Sequence, residues 1–502
     1  MADILLGIDI GTSSCKVAAF TPEGKVAAQS TQAYPVFYPH IGWAEQAPDE
    51  WWAAVCRGIR EILSQAIRPQ DIRGIGIDGQ SWSAIAVDRQ GNTLCNTPIW
   101  MDTRAAEICQ RVNAQFPRLF DISGNPFQPS YTMPKVLWYR ENAPDVYRDA
   151  AQILQSNGFI AYRLTGVYSH DLSQGYGWAC FDMARLQWDR DLCRSMGVRP
   201  ELLPELSPCH QIIGGVTQQA AELTGLLAGT PVVAGGLDAA CGTLGVGVIE
   251  PGQTQEQGGQ AGGMSICMDQ CHADERLILS AHVIPDRWLL QGGTVGGSGC
   301  LRWFEQEFGA EERAAAAGSG TSSFAELSAE AEQIAPGSDG LIFLPYMSGE
   351  RSPIWDPDAK GLFYHVDFSK TRAHFVRAIM EGVAYSLRHN LEIAGASGAQ
   401  VSTMYAMGGA VNSLVWTQLK ADITGKRIVV PSADTATALG AAILAGVGTG
   451  IYSDFPSAVG KTVSIQREHL PNPEHSAVYE QRYRTYRALY PSLKQLMKEE
   501  KQ

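Results

Sequence analysis

Residues 4–20 read ILLGIDIGTSSCKVAAF: an apolar run from Ile4 to Ile10, a turn-like Gly11-Thr12-Ser13-Ser14, and a second apolar run from Lys16 to Phe20. Thr21 to Lys25 carries Pro-Glu-Gly, and Val26 to Gln32 alternates, so the segment predicts three consecutive antiparallel strands. The first turn sets an acid, Asp9, at the end of a strand and follows it with backbone and hydroxyl donors. Such a turn can cradle phosphate oxygens, with the carboxylate available to a divalent cation. Gly-Thr-Ser-Ser is equally acceptable chemistry for a plain hairpin loop. It is not a Walker loop, because the GxxxxGK[ST] order is missing.

Outward from this hairpin the pattern alternates strands and helices. Pro48, Asp49 and Glu50 open a helix whose apolar positions Trp52, Val55, Ile59 and Ile62 recur at spacings of three and four. Gly74 to Asp78 and Ser83 to Val87 read as strands. Gly74 to Gly79 satisfies GxGxxG, with Asp102 about where a ribose-binding acid would stand, but these glycines lie inside an apolar strand and no helix follows. After Pro251-Gly252 the opening is echoed, because Gln253 to Met268 again reads strand, glycine-rich turn, strand. Ser323 with Glu326 suggests a capping box. Helices are expected over His374 to Arg388, Ser413 to Thr424 and Asp434 to Ala445, the last stopped by Gly446. Strands are expected over Val401 to Ala406 and Arg427 to Val430, and a polar, tyrosine-bearing helix follows Pro471. Two α/β halves meeting near residue 250 are the expected architecture, with domains over 1–248 and 249–450 and a helical extension over 451–502.

Composition narrows the class. The 502 residues carry 39 Lys and Arg against 52 Asp and Glu, a net charge of −13, which argues against nucleic acid or an anionic membrane as partner. Eleven cysteines without a framework spacing fit reduced thiols and a cytoplasmic location. Cys267, Cys271 and His272 lack a second ligand pair at zinc-site spacing. No secretory leader or membrane span is expected from the sequence. Glycine is in excess, 52 residues against a usual share of about 7%.

Two further segments have the composition of a site. Ala234-Gly235-Gly236-Leu237-Asp238-Ala239-Ala240-Cys241-Gly242 sets Asp238 among small residues that let a ligand approach the backbone, although an aspartate at a helix N-terminus reads the same way. Gly408-Gly409-Ala410-Val411-Asn412 joins a strand to a helix, an arrangement that admits a flat ring or a phosphate, or is an ordinary turn.

In this order the segments resemble the FGGY family of carbohydrate kinases. The similarity rests on GIDIGTSSCKV, on Ser130 to Trp138 (SYTMPKVLW), on Leu344 to Pro353 (LPYMSGERSP), and on Gly361 to Glu381, where His365 replaces a customary glycine. Trp43 to Gln46 and Trp100 to Arg104 resemble the xylulokinases within it. The resemblance implies two actin/hexokinase-like (ribonuclease H-like) domains flanking a catalytic cleft, with a sugar and ATP as small-molecule partners, Mg²⁺ as cofactor and a homodimer as an option. It implies Asp238 as the catalytic base and Asp9, with Asp238, as the acids near the metal. It assigns Thr12, Ser13, Lys16, Gly259 and Gln260 to phosphate and Gly408, Gly409 and Asn412 to the nucleoside. Gln80, Ser81, Trp82, Trp100, Asp102 and Arg104 are the expected sugar-pocket wall. Departures lie at Gln80-Ser81-Trp82, where xylulokinases commonly have Gln-Met-His, at Ala239 for an Asn, and at Gly259-Gln260-Ala261-Gly262 for Gly-Thr-Ser-Gly. A ketopentose such as D-xylulose is the expected acceptor, with another ketose or a polyol as the alternative acceptor and a non-catalytic nucleotide-binding sensor on the same fold as the alternative function.

Overall fold

The computed structural model describes residues 3–432 and 435–499. Met1 and Ala2, and the expected helix start at Asp434, lie outside them. The opening apolar runs form β1 (Ile4–Ile10), β2 (Ser14–Phe20) and β3 (Val26–Ala33), an antiparallel meander. After α1 (Pro48–Ser64), β4 (Ile72–Gly79) joins β1 in parallel, and β5 (Ile212–Gly215) and β6 (Pro231–Val233) complete the path β5-β6-β4-β1-β2-β3. The segment Gly236–Leu237 pairs with the end of β4, and α3 (Asp238–Gly245) starts directly after it. Between them α2 (Thr132–Asn142) carries most of the Ser130 to Trp138 motif.

The second half repeats the plan. β7 (Gln253–Gly258) and β8 (Gly262–Met268) form the echoed hairpin, flanked by β9 (Ile278–Ala281) and β10 (Trp288–Thr294). β11 (Thr403–Met407) and β12 (Arg427–Pro431) run parallel to β7, and β13 (Ile465–His469) pairs antiparallel at the edge, in the order β9-β10-β8-β7-β11-β12-β13. The helices of this half are α4 (Gly299–Phe308), α5 (Ser323–Glu332), α6 (Arg372–Ala396), α7 (Leu414–Thr424), α8 (Ala436–Gly448) and α9 (Ser476–Glu499).

Several boundaries differ from the sequence reading. The cap of α5 is Ser322, whose side chain accepts the Ala325 amide, while Ser323 donates to Glu305 and Glu326 accepts from Thr321. α8 runs past Gly446 to Gly448. The segment after 450 is more than a helical extension: it supplies β13, whose mostly exposed residues give no apolar alternation to read. In α9, Tyr479, Tyr483, Tyr486 and Tyr490 recur at spacings of four, three and four and are buried along one face.

α8 comes from the second half of the chain but lies on the first sheet. A Cβ on Gly7 of β1 would sit 1.9 Å from the Ala438 carbonyl, and one on Gly76 of β4 1.8 Å from that of Ala441. Only hydrogen fits there, so the glycines of the false GxGxxG pattern serve helix packing. α3 and α8 approach equally closely, and Thr243 of α3 donates to Gln255 of β7 at 3.2 Å. The two helices thus link the sheets beneath the cleft. Among the described residues no helix is long and apolar enough to cross a membrane.

Candidate active site

The register of the first sheet builds an acidic cluster. Asp9 stands opposite Lys16 on β2 and opposite Asp78 on the parallel β4, and residues opposite one another project to one face. Asp78 is fully buried, and among the described residues no donor reaches either of its oxygens. It lies within hydrogen-bonding reach of Asp9, which leaves the pair room to share a proton. Burial pushes both carboxyls up; Asp78 is pushed well up, with the charges of Asp9 and Asp238 adding to the effect. Sequence reading passed over Asp78 because it sat in the false dinucleotide pattern. The available signal was an acid inside an otherwise apolar strand.

Asp238 is the first residue of α3, and its Oδ1 accepts the Ala239 amide at 2.7 Å. It opens a helix and lies near enough to Asp9 and Asp78 for their charges to act on one another. Burial first, and Asp9 second, raise its carboxyl to about 7. Its place is fixed from behind: the Leu237 amide donates to Ser173 Oγ at 2.8 Å, and that hydroxyl donates to Asp171 at 2.5 Å. A carboxylate held near neutrality in an enclosed cleft can accept a proton from an alcohol.

Two turns, one in each half of the chain, carry open donors. Among the described residues no acceptor takes the amides of Thr12, Ser13, Gly259, Gln260 or Ala261. Ser13 is exposed, whereas the Thr12 hydroxyl accepts from Trp100 Nε1 at 2.9 Å. The second turn is pinned by the Gln260 carbonyl, which accepts from Gly297 and Gly299 at 3.2 and 3.0 Å. The Gln260 side-chain amide lies over Gly299 at the head of α4. Unpaired amides in series make an anion-binding concavity. Gly408, at φ 90°, abuts this turn, since a Cβ there would stand 2.8 Å from the Gly258 carbonyl. Beyond it opens a cavity of about 560 Å³ lined by Leu301, Arg302, Phe324, Ser328, Gly409 and Asn412. Its volume and mixed lining suit a nucleoside.

On the opposite side, Gln80 is buried, donates to Gln46 at 2.8 Å and leaves its own Oε1 without a donor. Ser81 accepts from Tyr176 at 3.4 Å. Trp82, at φ 60°, packs against Tyr131 and Tyr176 with centroid distances of 4.6 and 5.4 Å. Among the described residues Trp82 Nε1 and the Tyr131 hydroxyl are buried without partners, and Asp238 is near enough for its charge to act on Tyr176. Tyr131 lies within the Ser130 to Trp138 motif, but neither tyrosine was assigned to the pocket from sequence, since both lie far along the chain from Trp82. Lys135 of α2 holds this wall, donating to the carbonyls of Trp82, Ile99 and Ser130 at 2.8, 2.8 and 2.6 Å.

Two expected wall residues have another role. Asp102 is fully buried and binds Arg104 through both oxygens, while Arg104 also reaches Glu45 and lies over Trp43. Asp102 further accepts the Ala44 amide. Through Arg104 Nε and Nη2 the pair fixes the loop that carries Trp100, a role that spacing alone did not reveal.

The sequence models of the FGGY family of carbohydrate kinases match the chain twice, the N-terminal domain over residues 4–245 and the C-terminal domain over 270–449. A xylulose kinase of Escherichia coli (strain K12) is 31% identical over 495 residues, covering 98% of this chain and 99% of that protein. A gluconokinase of Bacillus subtilis (strain 168) is 30% identical over 503 residues, covering 99% and 96%. The crystal structure of xylulose kinase from Rhodospirillum rubrum superposes with a TM-score of 0.90 at 28% identity, covering 98% of this chain and 99% of that one.

Proposed function

The chain belongs to the FGGY family of carbohydrate kinases, and from that premise we propose that it transfers the terminal phosphoryl group of ATP to a hydroxyl of a ketopentose such as D-xylulose. One observation carries the reading: an enclosed Asp238, with its carboxyl raised to about 7, opens the helix that links the two sheets, and each half of the chain holds a turn whose amides are unpaired among the described residues. Asp238 takes the proton of the sugar hydroxyl as that oxygen bonds to the terminal phosphorus. The bond from phosphorus to the bridging oxygen breaks, and ADP leaves with that electron pair. The amides of residues 12–13 and 259–261 hold phosphate oxygens from opposite sides, and the cavity beyond Gly408 takes the nucleoside. Lys16, across from Asp9, adds a cation to the first turn.

Asp9 and Asp78 are the residues that would hold Mg²⁺. Two carboxylates leave most of its positions to phosphate oxygens and water, the usual manner of Mg²⁺ binding. The bound ion supplies charge neutralisation to the phosphates. The aromatic wall of Trp82, Tyr131 and Tyr176 orients the sugar, with two buried donors free to meet its hydroxyls. The free state of all eleven cysteines supports a cytoplasmic enzyme.

A coupled ADP-release assay over pentuloses, hexuloses, polyols and D-gluconate tests the reading. Stimulation by a ketopentose above the other acceptors is the expected result. Preference for gluconate would move the substrate to sugar acids, and no stimulation by any acceptor would refute the kinase reading.

A further inference from the structure

The run Leu344 to Pro353 leaves a cation whose role the phosphoryl-transfer scheme does not use. Across the second sheet Gln257 stands opposite Gly263, and Gly263 opposite Gly293, so these three positions share one face, which Gln255 shares by alternation. That face receives α3, through the hydrogen bond from Thr243 to Gln255, and α3 runs back from Thr243 to Asp238. Arg351 fills the space over Gly293: a Cβ there would sit 3.6 Å from its Cζ and from Nη2. The guanidinium is therefore set on the Asp238 side of the sheet, beside the end of the Gly258–Gly262 turn, in room that glycine leaves.

Arg351 is half-buried, yet among the described residues its guanidinium makes no hydrogen bond and no ion pair. Its neighbour Glu350 does not neutralise it by contact. Glu350 Oε1 accepts the amides of Val295 and Arg351, both at 2.8 Å, which fixes the backbone from which Arg351 projects. A guanidinium in this position keeps its five donors open to a ligand that enters from solvent. The adjoining turn, Gly259-Gln260-Ala261-Gly262, has no hydroxyl to offer an anion. Planar, forked donors match terminal oxygens of a phosphate or a carboxylate.

We propose that Arg351 is an oxyanion-binding residue of the cleft, gripping either the terminal phosphate of the nucleotide or the carboxylate of a sugar acid. The inference rests on the sugar-kinase reading for the place of the ligands.

Titration calorimetry on the full chain tests it, with Mg²⁺ and the non-hydrolysable analogue AMP-PNP, with ADP, and with D-gluconate, in the parent and in R351Q and R351K. Loss of roughly ten- to hundredfold in AMP-PNP affinity in R351Q, with ADP unchanged, identifies the terminal phosphate as the partner. A loss of that size for gluconate alone identifies the carboxylate. R351K should recover only part of the loss, because an ammonium cannot bond in a fork. Affinities within about twofold for all three ligands overturn the proposal. So does an equal loss for all three in both variants accompanied by a lowered melting temperature, which marks a structural role. Binding is read without turnover, so absence of sugar-stimulated ADP release would sink the kinase reading while these titrations still judge Arg351.

Discussion

Asp9 and Asp78 stand side by side on adjacent parallel strands, directly paired in register, and Asp78 is buried with neither oxygen receiving a donor among the described residues. Two such acids are retained together at a cost unless a proton or a cation lies between them. Replacing Asp78 by Asn keeps the volume and removes one charge. The expected result is Mn²⁺ binding weakened by roughly tenfold or more in the presence of ADP, measured by calorimetry or by the electron paramagnetic resonance of the free ion. Unaltered Mn²⁺ affinity would reduce Asp78 to a packing residue.

For Asp238 the rate and its pH dependence go together. Asp238→Asn should lower kcat by roughly 10²–10⁴-fold, the usual span for loss of a general base, while AMP-PNP binding stays within a few-fold of the parent. The parent's kcat/KM should fall on the acid side with a midpoint near the raised value of about 7, because only the ionised carboxylate can accept the sugar proton. A flat profile between pH 6 and 8 would remove Asp238 from that step.

Local pattern revealed the two hairpins, the helix faces and the acids at Asp9 and Asp238, because each is set by neighbours within a few residues. The echo of residues 4–20 in 253–268 already pointed to two sheets of one plan. What stayed hidden depends on pairing across the chain. Asp78 becomes part of the site only when β4 joins β1 in register. The contacts of Asp102 and Arg104 with Glu45, Ala44 and Trp43 likewise exist only once those segments are brought together. α8 lies on the first sheet because Gly7 and Gly76 leave room for it, and no periodicity in α8 itself encodes that destination.

The aromatic wall gives a separable prediction. Trp82→Phe retains most of the ring contact with Tyr131 and Tyr176 but deletes a buried, unpartnered N–H. Loss of one bond to a substrate hydroxyl should lower kcat/KM for the sugar by roughly five- to thirtyfold, with nucleotide affinity unchanged. Equal activity of W82F on every accepted sugar would show that Nε1 meets no substrate group.

Glycine's packing role is tested away from the chemistry. In Gly76→Ala the new Cβ would come within 1.8 Å of the Ala441 carbonyl, a backbone atom that cannot swing aside. The cost should be roughly 3 kcal/mol or more, seen as a lower midpoint in urea. Gly460→Ala is the matched control, since a Cβ there meets nothing within 4 Å and the helix gains in propensity. Similar midpoints for the two variants would contradict close packing of α8 on β4.

Stability and catalysis pull in opposite directions at Asp238, and the sign can be worked out. Its carboxyl ionises near 3.8 when unperturbed and near 7 in the fold. Between those values the folded chain holds the proton that the unfolded chain has lost, so stability contributed by this group falls as pH rises through the window. The contribution is whole below pH 4 and lost above pH 7. Asp238→Asn removes the penalty of keeping a buried charge, and at pH 8 it should be more stable than the parent by on the order of 2–4 kcal/mol. The two unfolding midpoints should converge as pH is lowered toward 4. Asp9 and Asp78 are raised in the same direction, so the variant itself should retain a shallower slope of the same sign. Equal stability of variant and parent at pH 8 would mean that the Asp238 charge is already compensated in the folded chain, and the acid limb expected for kcat/KM would then move below 7 with it.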